Sequence, residues 1–239
     1  MFLSKCDILI SMYLKVGQTT EVNFGERDSE IENTQYLVRI KSGARQWVFS
    51  VEGGVEVATR HVFPEMPYFF RFPEPLISAP RSLLKIFIKV PLVEELAIES
   101  NREKFVVHRH MRGYKKIWYG EAHSGVMCIY VEPEILLEPE RGDFANLPIR
   151  LSTKSKDSLS IEGFILYPEY LILYHGENGL YTNRVSVDII GENEVKVTYG
   201  RGTTRKAGKH ELLVDQLEKP PKNIITAFAP MELARYFGL

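Results

Sequence analysis

The chain has 239 residues, 44% of them hydrophobic and 26% charged, the composition of a globular protein able to bury one large core or two smaller ones. Its 30 Lys and Arg and 31 Asp and Glu leave a formal charge of -1, which excludes a whole-protein field that draws in nucleic acid or acidic lipid. Its 2 cysteines, neither in a CxxC pair, exclude a disulfide framework.

The opening MFLSKCDILISMYLKV carries Lys5 and Asp7 inside its apolar run, and no small-residue cleavage site follows. It therefore reads as a first strand over 5–14 and not as a signal peptide. No apolar stretch approaches the length of a membrane span, so a cytoplasmic protein with no membrane partner is expected. A strand follows at 20–24, but Glu21–Asn33 (EVNFGERDSEIEN) is acidic and reads mainly as exposed loop. Period-two alternation then predicts strands near 35–41, 46–52, 55–60 and 67–72. Phe63–Pro80 contains Pro64, Pro67, Pro73, Pro75 and Pro80. Proline lacks the ladder donor, so this segment is assigned to an edge strand or an irregular crossover.

Alternation resumes at 83–90 (LLKIFIKV), 93–99, 104–111 (KFVVHRHM), 115–119 and 126–132. Cys128 lies in the apolar run VMCIYV, a strand buried on both faces in which a thiol behaves as a small hydrophobe. A Cys6–Cys128 bridge is not expected in a reducing cytosol. Glu138–Asn146 (EPERGDFAN) combines Pro, Gly and charges, and it divides a larger β-sandwich domain (1–138) from a smaller β domain (145–218). Strands near 147–153, 158–166, 170–175, 184–190, 194–200 and 210–214 fill the second domain. A linker, LEKPPKN, then leads into an apolar tail within 219–239. There Pro230 opens a short helix over Met231–Phe237, which Gly238 closes. The tail is assigned to its own domain, the alternative being docking on a neighbouring copy. The fold class is thus all-β, two packed β-sandwich-like units with a short C-terminal helix or tail.

Two constellations carry chemistry. His108 and His110 share a strand face, and Glu121 and His123 follow in the next turn, together a ligand set for a divalent metal. Strict alternation, however, places Phe105, Val107 and Met111 on the apolar face. His108 and His110 then fall on the polar face beside Lys104 and Val106, where positive charge opposes a metal. From 102 to 119, Arg102, Lys104, Arg109, Arg112, Lys115 and Lys116 are interleaved with Tyr114, Trp118 and Tyr119. Such a basic hairpin suits a phosphate ligand or single-stranded nucleic acid. A second basic cluster, RGTTRKAGKH, supplies Arg201, Arg205, Lys206 and Lys209. No phosphate-cradling Gly loop, nucleophile elbow or HExxH motif is present, and no cofactor is predicted.

The runs FRFPEPLISAPRSLLKIFIKVPLVEEL and LYPEYLILYHGENGLYTNRVSVDI, the latter within Ser124 to Val214, resemble an uncharacterised archaeal family of unknown function. The resemblance covers most of the chain. It implies the all-β architecture and brings no activity or catalytic residue. The reading that follows is a non-enzymatic binding or interaction module with a protein partner or a second copy of itself. The alternative is a metal, phosphate or single-stranded nucleic-acid site on the 102–123 hairpin.

Overall fold

The computed structural model describes residues 9–24, 27–100, 103–120, 123–221 and 224–227. Its first ten strands are β1 (Leu9–Leu14), β2 (Gln18–Phe24), β3 (Arg27–Asn33), β4 (Leu37–Ser42), β5 (Arg45–Ser50), β6 (Val55–Val62), β7 (Tyr68–Ser78), β8 (Leu83–Pro91), β9 (Val93–Ser100) and β10 (Glu103–His110). There follow β11 (Lys115–Tyr119), β12 (Val126–Val131), β13 (Ile135–Leu136), β14 (Phe144–Thr153), β15 (Leu159–Leu166), β16 (Leu173–Gly176), β17 (Gly179–Thr182), β18 (Val185–Gly191), β19 (Glu194–Tyr199), β20 (His210–Val214) and β21 (Ile224–Ala227). Two 3-10 turns are the only helical elements among the described residues. The protein is all-β, and no described helix is long and apolar enough to cross a membrane.

Two compact units form, and neither is contiguous in sequence. The first is Met1–Val62 with Leu92–Arg112, the second Phe63–Pro91 with Gly113–Leu239. The 138–146 stretch lies inside the second unit, between β13 and β14. Strand β8, from before it, pairs antiparallel with β14, after it, from Phe144↔Pro91 to Ser152↔Leu83. Pairing at that sequence separation leaves no trace in local composition.

In the first unit, sheet A (β1-β6-β9-β10) and sheet B (β2-β3-β4-β5) are both four-stranded. The acidic 21–33 segment is not a loop: β2 and β3 form a hairpin paired from Gln18↔Asn33 to Phe24↔Arg27. Its acids alternate with Val22, Phe24 and Ile31, which are buried with Val57, Leu96 and Ile98 in one core cluster. Each such side chain contributes roughly 1.5–3 kcal/mol by leaving water, which outweighs the weak strand preference of the acids between them.

The second unit pairs sheet C (β11-β12-β7-β15) with a nine-stranded sheet D. The order in sheet D is β20-β16-β17-β14-β18-β19-β21, with β8 joining β14 to β13. The proline-rich run supplies β7, which is central where β12 covers Tyr68–Phe70. Beyond that, β15 pairs Gly163 with Arg71 and Ile161 with Leu76, bulging past the residues between. Pro73 and Pro75 therefore sit where no ladder donor is required. Phe70 stacks on Phe164 at 5.4 Å between centroids, and the Tyr68 hydroxyl donates to the Pro91 carbonyl at 2.6 Å. The described part of the tail, β21, pairs with β19 of its own chain. The expected helix at 231–237 lies outside the described residues, as does Cys6.

Cys128 is a buried free thiol, clustered with Phe69 and Ile165. Burial pushes its pKa from 9.0 up to about 12, and burial likewise pushes the Tyr119 hydroxyl from 10.0 up to about 12. The folded state thus keeps protons that the unfolded chain releases first. Their stabilising effect is complete below pH 9.0 and is lost as pH rises toward about 12. The urea midpoint is expected to fall steadily across that window, and a flat midpoint would contradict the assignment.

Candidate functional site

The 102–123 stretch does not fold as one hairpin. Strand β10 pairs with β9 in the first unit, and β11 pairs with β12 in the second. Within β10 the register runs to Val106↔Ala97 and then jumps to His108↔Leu96, a bulge at Val107. One extra residue reverses every later side chain. His108 therefore points to the core side, with its ring edge-to-face with Phe24 at 5.8 Å and tilted against Trp47 at 6.2 Å. His110 shares that face, opposite Glu94, which in turn is opposite His61. The polar-face placement of His108 and His110 is thereby corrected. His123 belongs to the second unit, and Glu121 lies outside the described residues. Among the described residues no group of three or more His, Cys, Asp or Glu is arranged to hold a metal ion.

The cations of the stretch are dispersed as well. The β11–β12 register puts Lys116 and Trp118 on one face of sheet C and Lys115 on the other, level with Tyr130. Lys116 lies over the Tyr114 ring at 5.7 Å, and Arg112 closes the last segment of the first unit. Arg109 is committed to a buried carboxylate. Glu95, 1% exposed, receives Arg109 Nε at 2.8 Å, Arg60 Nε at 2.9 Å and Lys104 Nζ at 2.7 Å. Arg60 also reaches Glu99 at 3.4 Å. Four residues along β9 from Glu95, Lys104 lies opposite Glu99, itself opposite Glu56. Three cations meet two carboxylates, Glu95 and Glu99, so each of these cations has an ion-pair partner within the unit.

The outer face of sheet D differs. Residues 85, 87 and 89 of β8 alternate with core residues Ile86, Ile88 and Val90, so Lys85, Phe87 and Lys89 point away from the core. The 200–209 loop covers part of this face. Phe87, Tyr181 and Ala207 cluster there with Tyr174. The Tyr174 hydroxyl donates to the Arg201 carbonyl at 2.6 Å, and Lys206 Nζ lies 5.6 Å from the Phe87 ring centroid. Cations in this part have partners: Lys206 reaches Glu138 at 2.6 Å, and Lys89 reaches Glu134 at 2.7 Å and Glu140 at 2.9 Å. Hydrogen bonds to Glu134 and Glu140 raise the pKa of Lys89.

The uncovered part is built otherwise. Lys85 lies directly opposite Arg150, Arg150 opposite Ser186, and Ser186 opposite Thr198. Arg184, two residues before Ser186, shares its face and is tied to the loop by Arg184 N–H to the Gly202 carbonyl at 2.9 Å. Lys85, Arg150, Arg184, Arg201 and Arg205 are all exposed. No ion pair engages any of them among the described residues. The carboxylate in these rows is Asp188, which sits opposite Lys196 and accepts from the Ser152 hydroxyl. Like charges directly opposite each other destabilise a sheet, so the Lys85–Arg150 pair contributes nothing to folding.

A family model described as a protein of unknown function (DUF432) matches residues 11–232. The chain belongs to the DUF432 family. No curated protein and no solved structure matches it.

Of the basic residues singled out in the sequence, Arg201 and Arg205 are the two that this DUF432 protein places beside the unpaired face. Lys85, Arg150 and Arg184 were missed. Each occupies a polar position of an alternating strand in LLKIFIKV, LPIRLST and RVSVDII. Alternation shows that they point away from the core, but only pairing register makes them neighbours.

Proposed function

We propose that this protein is a non-enzymatic binding module and that the open outer face of sheet D takes an anionic ligand. The observation that carries this reading is the unmatched Lys85–Arg150–Arg184 constellation, rimmed by Arg201 and Arg205 on the loop. An anion supplies the counter-charge that the fold leaves out. The cations are spread over a sheet face with hydroxyls beside them, which suits a ligand of many charges contacted at many points. A small anion would need them convergent.

The test uses long-chain inorganic polyphosphate as the probe. Binding is expected to weaken as salt rises. The combined Lys85→Gln, Arg150→Gln and Arg184→Gln variant is expected to bind about tenfold less tightly or worse, each exposed ion contact contributing up to about 1 kcal/mol. Its thermal midpoint should stay level or rise slightly, because a like-charge cross-strand pair is relieved at roughly 0.2–1 kcal/mol. Full affinity in the variant would overturn the reading.

A further inference from the structure

We infer that the anion bound on this face is the phosphodiester backbone of a nucleic-acid duplex, contacted without regard to sequence; this rests on the anion-binding reading above. Three features of the face select that ligand. First, its charges are dense and extended. Lys85 and Arg150 are immediate cross-strand neighbours, Arg184 lies one row along, and Arg201 and Arg205 continue the rim. A duplex carries one negative charge per roughly 1.7 Å of axis, so it meets several of these cations at once.

Second, neutral donors continue the row of cations across the sheet. Ser186 is opposite Arg150, and Thr198 is opposite Ser186. Hydroxyls and guanidinium groups are the side chains that position a phosphate backbone without reading bases.

Third, the open part offers no stacking platform. Of the aromatic rings on this side, Phe87, Tyr174 and Tyr181 are gathered under the 200–209 loop, where the two tyrosine hydroxyls bond the carbonyls of Arg201 and Lys206, and Phe144, half-buried, lies under Lys89 at 4.9 Å. Single-strand binders stack unpaired bases on exposed aromatics. A face of cations and hydroxyls, with Asp188 one row along, suits a ligand whose bases stay stacked on each other. A sheet face also presents no helix or ribbon to enter a groove, so base edges stay unread.

The test measures fluorescence anisotropy of the full chain with labelled DNA and RNA duplexes, their separated strands and inorganic polyphosphate, with phosphatidylserine vesicles as a competing surface. The vesicle arm has a specific target, because Leu83 and Ile225 are exposed at the ends of the row beside the cations. The expected result is duplex binding whose log affinity falls with log salt at a slope of about -4, from up to five phosphate contacts. Arg150→Gln should reduce that slope by about one, equally for duplexes of different sequence. Polyphosphate bound but neither duplex bound, separated strands preferred, or vesicles displacing the duplex would each overturn the duplex assignment and leave the anion-binding face standing. Failure with polyphosphate as well removes both. Duplex binding unchanged in Lys85→Gln and in Arg150→Gln also overturns both, since the contact would then lie elsewhere.

Discussion

Replacing Asn183 by alanine is expected to destabilise the protein by about 4 kcal/mol, the largest effect of any single polar substitution considered. Asn183 is fully buried and sits in the short break between β17 and β18. Its Nδ2 donates to the Tyr170 carbonyl at 3.1 Å and the Gly200 carbonyl at 2.6 Å, while its Oδ1 accepts from Ile172 N–H at 2.9 Å. Alanine leaves two carbonyls and one N–H without partners, each costing roughly 1–3 kcal/mol where water cannot reach. Because Gly200 begins the loop that carries Arg201 and Arg205, amide exchange over 200–209 should accelerate more than exchange in the rest of sheet D. Asn183→Asp is expected to be at least as harmful, since it turns an oxygen toward two carbonyl oxygens. A denaturation midpoint within error of the parent for Asn183→Ala would show that these groups find other partners.

Glu95→Ala is expected to cost about 3 kcal/mol. The carboxylate is 1% exposed and holds Arg60, Lys104 and Arg109 at 2.7–2.9 Å, so its removal leaves three cations crowded over a cavity. Breaking a buried ion pair costs roughly 3–5 kcal/mol when a buried charge is stranded. Here the stranded groups are 24–43% exposed and regain some hydration, which sets the lower end of that range. Glu95→Gln keeps the shape and one acceptor and should lose about half as much. Urea denaturation measures both variants, and the loss should persist in high salt because the carboxylate is shielded from the electrolyte. The Gln variant should still bind polyphosphate with parental affinity. Stability unaltered in Glu95→Ala would mean that the cations are as well hydrated without it, and lost binding in Glu95→Gln would give this network a ligand role.

These two residues also mark how far the sequence can be read. Alternation in QWVFSVE, LLKIFIKV and RVSVDII located strands and their buried faces, because burial of every second side chain is a property of one segment. Nothing comparable announces Asn183 or Glu95. A buried polar residue is tolerable only when distant partners arrive, and those partners are written elsewhere in the chain. The acidic 21–33 hairpin was hidden for a related reason: its charges outnumber Val22, Phe24 and Ile31, though the apolar residues decide the fold once a second sheet covers them.

The amino-acid sequence by itself determined that this protein is all-β, that its core consists of alternate residues, and that Lys85, Arg150 and Arg184 stand on the opposite faces of their strands. Tertiary structure decided the rest. Register made three distant cations neighbours on sheet D, and one extra residue at Val107 turned His108 and His110 inward. The difference is physical: the face of a side chain depends on a pleat repeating every two residues. Its neighbours depend on pairing between segments far apart in sequence, and a single bulge resets that pairing.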